Sequence, residues 1–480
     1  MLDNYKSFRH IDIDLTMSGG KPLPYAFIYG ENGSGKSNLI DSLMFLKETM
    51  ETVNTMNKLR NGHDASEKAD LNEPRIIMTG NDLQSQQSPE INVILKNIEE
   101  NLNKLSKVIP NEAPSDIGGV AEKARMVESD TGIAVSYFFT LKGHDGNYVM
   151  RFGSDNRLIY EKLSFVVESR TKDIFEISIS EKNDNPSHGN SMDWKFSPQL
   201  FLKKDYGKTT EDLIRRYWGK HSFMSIMNGE YSANNAVYMD ESLGTGIADV
   251  MEYFNCLIVC CDHGGGRFGK GIENKILANL AEGCVTPDRR DQLLFYEDAL
   301  NSFFTRIYSD VRKAHYKIES RNGELTYTLF FSKMIGGKIR EIEISKESTG
   351  TRGLLNLFPA LFECACGKTV FYDELDSGIH DVLIKDIMSE LKGTFKGQFI
   401  ATTHNTSLLE VMDPKSIFVI QMDYMGEKMI LPISRIERTQ KSHNNRNRYL
   451  NGVFGGTPIT GEIDFGDIVR NTAEGLRGRR

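Results

Sequence analysis

The sequence predicts an α/β fold, a mixed sheet with flanking antiparallel strands around a phosphate-binding loop, interrupted by a large, mainly helical insertion. Three observations carry this expectation. Residues 30–37 read Gly-Glu-Asn-Gly-Ser-Gly-Lys-Ser, a full match to the pattern G-x-x-x-x-G-K-[ST]. Residues 368–374 read Lys-Thr-Val-Phe-Tyr-Asp-Glu, an apolar run closing on two acids. Lys36 and Glu374 stand 338 positions apart, far more than one α/β lobe needs between two such motifs.

The first motif has the context its chemistry requires. Residues 24–29 are a short strand-like run, and 38–44 begin a helix. Glycines let the backbone curl so that successive N–H groups face an anion, and the helix start adds partial positive charge at the same place. The expected ligand is ATP with Mg²⁺, held by Gly30, Asn32, Gly33, Ser34, Gly35, Lys36, Ser37 and Asn38. Lys36 would reach the β- and γ-phosphates, and the Ser37 hydroxyl would meet the metal. A glycine-rich surface turn would not explain Lys-Ser at this offset from a strand.

After the loop, residues 41–61 continue as helix. A second helical stretch, 88–109, spaces Ile91, Leu95, Ile98, Leu102, Leu105 and Ile109 as a short heptad seam, better suited to a bundle than to an extended coiled coil. Residues 132–179 are β-rich runs separated by Gly-Asp-Asn turns. From 199 to 319 the pattern reads mostly helical, at 210–218, 246–253, 270–281 and 288–316, and strands return at 325–331 and 339–344. The glycine run 264–269 lacks the acidic partner of a dinucleotide fingerprint and reads as a loop. The expected division is a discontinuous head (1–45, 131–200 and 325–480), a helical insertion (46–130) and a mainly helical arm (201–324).

The second half of the site gathers late in the chain. Residues 347–353, Glu-Ser-Thr-Gly-Thr-Arg-Gly, open a helix with Ser348, Gly350 and Thr351 at its start; the plain reading of Ser348 is an N-cap. Asp373 would hold the Mg²⁺ shell, and Glu374 would orient or deprotonate the attacking water. Asp376 follows in Leu-Asp-Ser-Gly, and residues 398–404 form another apolar strand ending in His404.

Composition bounds the rest. A chain of 480 residues, 39% hydrophobic and 26% charged, has room for two or three lobes. No apolar run approaches a membrane span, and the first residues lack a signal-peptide core, so a cytoplasmic protein without a membrane partner is expected. The six cysteines form no disulfide framework and read as reduced core thiols. A net charge of −8 argues against coating nucleic acid through the overall field. Basic stretches at 215–216, 289–290, 438–448 and 477–480 leave a nucleic-acid groove possible.

In this order the motifs resemble ABC-type ATPases, relatives of the SMC and RecF proteins. More narrowly, they resemble AAA-type ATP-binding proteins of bacterial phage-defence loci, the RloA/AbiL-like group, with the ATPase subunit of PARIS and the ATPase part of OLD proteins as cousins. Beyond the nucleotide motifs, Ile-Tyr-Glu-Lys-Leu at 159–163 and Arg-Tyr-Leu-Asn-Gly-Val-Phe-Gly-Gly-Thr-Pro at 448–458 carry this narrower likeness. The resemblance implies that residues 347–353 are the signature, that Asp376 lies in the D-loop, and that His404 is the switch histidine sensing the γ-phosphate. Two copies would face each other head to tail, Ser348 and Gly350 of one completing the ATP site of the other. Two features depart from the pattern. The Q-loop glutamine is not identifiable among Gln84, Gln86 and Gln87, and Ser-Thr-Gly-Thr is looser than Leu-Ser-Gly-Gly.

With 76 residues after His404, and Asp423 standing alone in a hairpin-like stretch rather than in a Toprim pattern, killing or cutting is expected to reside in a separate partner, a nuclease or toxin. Two other readings stay open. One is a RecF/SMC-like repair or maintenance ATPase that binds DNA directly; the other is an ATP-stabilised scaffold that sequesters a toxin.

Overall fold

The computed structural model describes residues 1–17, 19–70, 115–167, 170–180, 191–234, 236–262, 267–321, 323–439, 443–458 and 464–470. The heptad stretch 88–109, the three glutamines at 84–87, the glycines at 264–266 and the basic tail 477–480 lie outside these residues. The chain forms two compact units. One comprises Met1–Asp12 and Asp41–Val259, the other Ile13–Ile40 and Cys260–Arg480.

The first unit is organised by a seven-stranded antiparallel sheet. The chain begins with β1 (Leu2–Tyr5) and β2 (Phe8–Ile11), an antiparallel hairpin paired through Tyr5↔Phe8. Lys6 makes the reversal with a positive φ of 47°. The strand β3 (Tyr25–Tyr29) belongs to the other unit. Then come β4 (Ala134–Leu141), β5 (His144–Phe152), β6 (Leu158–Val167), β7 (Arg170–Ser180) and β8 (Ser191–Phe196), in the spatial order β2-β1-β4-β5-β6-β7-β8. Alternate residues such as Tyr148, Met150 and Phe152 are buried, the period of a half-buried sheet.

Two buried charges fix helices in this unit. Lys47, on the helix Lys36–Asp70, donates to the carbonyls of Asn255 (2.8 Å) and Leu257 (2.7 Å) at the C-terminal end of the helix Thr245–Cys256. A cation there meets the orphan carbonyls and the negative end of the dipole. Glu161 on β6 is fully buried and accepts from Tyr148 Oη (2.8 Å), Trp218 Nε1 (2.7 Å) and the amides of Phe223 (2.6 Å) and Met224 (3.2 Å). Burial raises its pKa, and these donors oppose that rise.

The second unit holds β9 (Ile258–Asp262) from Cys260 onward, β10 (Arg267–Lys270), β11 (Glu282–Val285), β12 (Val311–Arg321), β13 (Glu324–Ile335), β14 (Lys338–Glu343), β15 (Val370–Tyr372), β16 (Phe399–Thr402), β17 (Ile417–Met422) and β18 (Lys428–Pro432). Its main sheet runs β10-β9-β15-β16-β3-β17-β18. The central pairs β15/β16, β16/β3 and β3/β17 are parallel, and the β17/β18 hairpin is antiparallel. All five residues of β3 are buried, as a strand covered on both faces requires. A second sheet, β11-β13-β12 with β14 on β13, is covered by the helix Arg290–Ile307, where Phe304 meets Phe331 at 4.8 Å.

Two expectations for the middle of the chain need correction. The helix expected over 288–316 ends at Ile307, and β12 takes over at Val311. Val-Arg-Lys-Ala-His-Tyr-Lys carries helix-compatible charges, but Val311, Ala314 and Tyr316 are its buried residues, and a bulge between Val311 and Lys313 sets their spacing. Of the helix expected at 270–281 only Lys275–Ala278 forms. The compact units also cut the chain differently from the expected domains. Strands within 131–200 sit in the first unit with the helices of 204–256, while β11, the helix Arg290–Ile307 and β12 sit with the late motifs. Antiparallel pairing between neighbours in sequence decides this division. Among the described residues no helix is long and apolar enough to cross a membrane. Cys260, Cys261 and Cys364 are core thiols as expected, whereas Cys284 and Cys366 are exposed.

Candidate active site

The sheet of the second unit delivers the two motif halves to one edge. In the register of β16 and β3, Thr402 stands opposite Ile28, and Tyr372 of β15 stands opposite Ala401. The three parallel strands therefore end together. Gly30 follows the first, Asp373-Glu374 the second, and Thr403-His404 the third. This is the carboxyl edge at which open α/β sheets place ligands.

The loop after β3 is built as the motif requires. Gly33 has φ +81°, a conformation a side chain would strain, and the helix Lys36–Asp70 begins at the motif lysine. The first turn opens with the amides of Lys36 and Ser37 at the positive end of the helix, and the Asn38 amide donates back to the Gly35 carbonyl (3.0 Å). Lys36 is buried, and its Nζ donates to the carbonyls of Gly30 (2.9 Å) and Glu31 (3.0 Å), curling back over its own loop. Burial lowers its pKa, opposed by the negative charges of Asp373, Glu374, Asp376 and Glu31. The Ser34 hydroxyl is buried in the loop with no hydrogen-bond partner. An orphaned hydroxyl beside a positive helix end and a buried ammonium fits a phosphate group, which brings acceptors and negative charge together.

The acidic half is held by a residue whose role the sequence reading did not assign. Thr402 Oγ1 donates to Asp373 Oδ1 and accepts from the Glu374 amide (2.8 Å). Asp373 is buried and its amide donates to the Cys260 carbonyl (2.8 Å). Glu374 is exposed and takes φ +50°, a region that costs a non-glycine residue free energy. The Leu375 amide donates to the Thr402 carbonyl (2.9 Å), so the turn is clamped on both sides of the strained residue. A hydroxyl at the end of the strand next to Asp-Glu was the available signal for Thr402.

Asp376 holds the segment that carries the histidine. Its Oδ1 accepts from Thr403 Oγ1 (2.7 Å), and its carboxylate also takes the His404 amide (3.2 and 3.3 Å). It positions the histidine through the backbone. His404 is at the surface. Partial burial of its ring lowers its pKa, as does the Lys36 charge, with Asp376, Glu374 and Asp373 opposing, so at neutral pH the ring is uncharged.

Ser348 caps the helix Thr349–Ala365. Its Oγ accepts from the Thr351 amide (3.2 Å) and lies 2.9 Å from Thr351 Oγ1. Thr351 is buried, whereas Ser348 is exposed. A methyl group on Gly350 would lie 3.0 Å from the Gly378 carbonyl, so glycine lets the helix start pack on the loop that carries Glu374 and Asp376. Thr349, Glu374, Ser377 and Gly378 of this paired surface are exposed.

A cation site for Mg²⁺ would use Ser37 and Asp373. Among the described residues no group of three or more His, Cys, Asp or Glu gathers as a metal cage. Mg²⁺ at phosphates does not need one, because it keeps waters and takes phosphate oxygens beside one or two protein ligands.

The fold and site together are those of an α/β domain built around a P-loop. Residues 272–410 match the family described as "AAA domain, putative AbiEii toxin, Type IV TA system", and residues 1–107 match a second AAA-domain family. No curated protein matches the chain. Among solved structures, similar chains include an SMC head bound to the C-winged helix domain of ScpA, with 13% identity and TM-score 0.36, covering 90% of this chain and 95% of that one. The SMC head domain from Thermotoga maritima gives 14% and 0.31, with 90% and 96% covered. An Smc head with an extended coiled coil, bound to the C-terminal domain of ScpA derived from Pyrococcus furiosus, gives 12% and 0.34, with 90% and 94% covered. At these scores the likeness carries no weight beyond the topology already described.

Proposed function

We propose that this chain binds and hydrolyses ATP as an ABC-type subunit, dimerises head to tail around the nucleotide, and controls a separate effector, a nuclease or toxin, in bacterial anti-phage defence. The observation that carries the ATPase reading is the convergence of Lys36, Asp373-Glu374 and His404 at the ends of three adjacent parallel strands. Lys36 exchanges its loop carbonyls for phosphate oxygens when the nucleotide enters, and the loop amides with Ser34 line the rest of the cradle. Ser37 and Asp373 would hold Mg²⁺, which would supply charge neutralisation at the phosphates. Glu374 accepts the proton of the attacking water, and neutral His404 orients that water by a hydrogen bond. The exposed start of the helix Thr349–Ala365, with Ser348 and Gly350, supports the head-to-tail reading, since a helix N-terminus offers a second anion cradle to the other copy. Such completion makes turnover depend on assembly.

The defence reading rests on the printed description of the family matching 272–410, which names a toxin of a toxin–antitoxin system. The test is direct. Glu374→Gln should bind MgATP, accumulate a closed dimer in size-exclusion chromatography, and lose turnover by about 10²–10⁴-fold, the usual weight of a general base. Full turnover in that variant removes Glu374 as the base. Co-expression with the neighbouring reading frame should reduce phage plaques in a Lys36-dependent way. ATPase activity stimulated by DNA, without such protection, would replace defence by the repair reading.

A further inference from the structure

A late segment of the second unit touches both loops on which the site depends, and no nucleotide motif includes it. Beyond β18 the chain forms a short helix, Asn445–Leu450, and then a turn through Gly455 and Gly456, each with φ +67°. The turn lies on the root of the phosphate loop. A methyl group on Gly456 would fall 2.5 Å from Val419 Cγ1, 2.9 Å from the Ile420 carbonyl and 3.4 Å from Gly30 Cα, so no side chain fits there. Gln421 Nε2 donates to the Phe454 carbonyl (2.8 Å), which fixes the turn to β17.

The helix reaches the other loop. Arg446 Nε donates to Thr406 Oγ1 (3.1 Å) and its Nη1 pairs with Glu410 (3.2 Å), both in the 3₁₀ turn Thr406–Glu410 that follows His404. Tyr449, on the same helix, joins the two ends. It is buried, its ring meets that of Tyr29 edge-on at 5.5 Å, and its Oη donates to the Gly456 carbonyl (3.0 Å). Burial pushes the Tyr449 hydroxyl up to about 12, with the Glu31 charge acting the same way, so it remains a donor at neutral pH. Tyr29, the residue before the phosphate loop, donates from its Oη to the carbonyl of Asn405, the residue after His404 (2.8 Å).

In-line attack needs the phosphate seated on one loop and the water held by the other in a fixed relation, and a misplacement of about 1 Å costs about 10²-fold in rate. Lys36 braces its own loop through the Gly30 and Glu31 carbonyls, but it gives up those bonds when it turns to a phosphate. The contacts of Gly456, Tyr449 and Arg446 do not involve Lys36 and persist through that exchange. We propose that Arg446 and Tyr449 are positioning residues, which make the C-terminal segment a strut holding the phosphate loop and the His404 loop in register. The inference rests on the ATP site proposed above and adds to it two side chains that act through those loops. Arg446 and Glu410 are partly exposed, and Glu410 also pairs with Lys385 (3.7 Å), so losing the Arg446 ion pair should cost little stability.

The experiment compares wild type, Arg446→Met and Tyr449→Phe, full length. It measures the Kd of MgATP, steady-state kinetics, the nucleotide-free unfolding midpoint, and amide hydrogen exchange over 30–37 and 404–410. Arg446→Met should lower kcat about 10-fold, with Kd within twofold and the midpoint down by less than about 3 °C. Exchange should quicken at 404–410 and, across the strut, at 30–37. Tyr449→Phe cuts the tie at the glycine turn and should lower kcat in the same way. If wild type hydrolyses ATP and Arg446→Met keeps kcat within twofold of it, this inference falls and the site stands. Faster exchange confined to 404–410 also overturns it, because the two loops are then not joined. So does a kcat loss accompanied by faster exchange throughout the chain, which is general loosening of the fold. Wild type without ATP binding or turnover removes the site itself, and the wild-type assays report that separately.

Discussion

Thr402→Val exchanges the hydroxyl that holds both the Asp373 carboxylate and the Glu374 amide for a methyl group of nearly equal size, so packing is kept and two hydrogen bonds are lost. The bond to a buried carboxylate contributes about 1.5–3 kcal/mol, and the Glu374 amide left without its acceptor costs about 1–3 kcal/mol. Both act through one oxygen and are not additive, so the expected loss is about 3 kcal/mol. For a unit of this size that lowers the unfolding midpoint by about 6–12 °C. The functional effect should be larger than the thermal one suggests. Glu374 sits at φ +50°, and the Thr402 contacts are what keep it there; released, it relaxes and its carboxylate leaves the position needed for water. Turnover should fall about 100-fold while the Kd of MgATP changes less than threefold, because Lys36 and the loop are untouched. Differential scanning fluorimetry and a phosphate-release assay read both quantities, with Thr402→Ser as the control that keeps the hydroxyl. A Val variant with normal turnover and an unshifted midpoint would refute the clamp.

Lys36→Met should abolish detectable MgATP binding in isothermal titration while leaving the fold intact by circular dichroism. Asp376→Asn keeps the shape of the side chain but removes the charge that holds Thr403 and the His404 amide; kcat should drop about 10-fold or more with KM nearly constant, the signature of lost positioning. For pH, the lowered pKa of His404 means that the neutral ring persists at and somewhat below its ordinary value of 6.5. Turnover should be level from pH 8 to about 6.5 and fall only as pH drops through the depressed value. Any stability contribution of this group has the same sign, present above the unfolded pKa and lost on acidification through the folded one. An acid limb starting above pH 7 would contradict it. Gly350→Ala, whose methyl would press on the Gly378 carbonyl at 3.0 Å, should cost about 1–3 kcal/mol in chemical denaturation and weaken ATP-dependent dimerisation.

What the sequence made legible follows from what its signals measure. Gly33, Lys36 and the Asp373-Glu374 strand end announce themselves because backbone curvature and charge at a strand end require particular residue types. β-rich runs between turn residues marked the strands of 132–179, and those at 325–331 and 339–344. The strand Val311–Arg321 was hidden because a bulge breaks its period, and lysines and arginines on its exposed positions suit a helix equally. The task of Thr402 was not legible, since it arises from Asp373, a neighbour on another strand. Asp376 illustrates the converse. Its position in the motif was plain, but only the hydrogen bonds to Thr403 and the His404 amide show it serving the histidine. The compact units group segments differently from the expected domains, since strands adjacent in sequence pair with one another.

Because the chain passes from one unit to the other after residues 12, 40 and 259, neither unit is a contiguous stretch that truncation could liberate. Biosynthesis meets the same constraint. The wholly buried strand Tyr25–Tyr29 leaves the ribosome early, yet its sheet neighbours Phe399–Thr402 and Ile417–Met422 are hundreds of codons away. At about 5–20 residues per second, the glycine loop waits roughly 17–70 s for its acids. Throughout that interval an apolar segment is without its companions, so maturation of this protein should be unusually dependent on chaperones that shelter nascent chains.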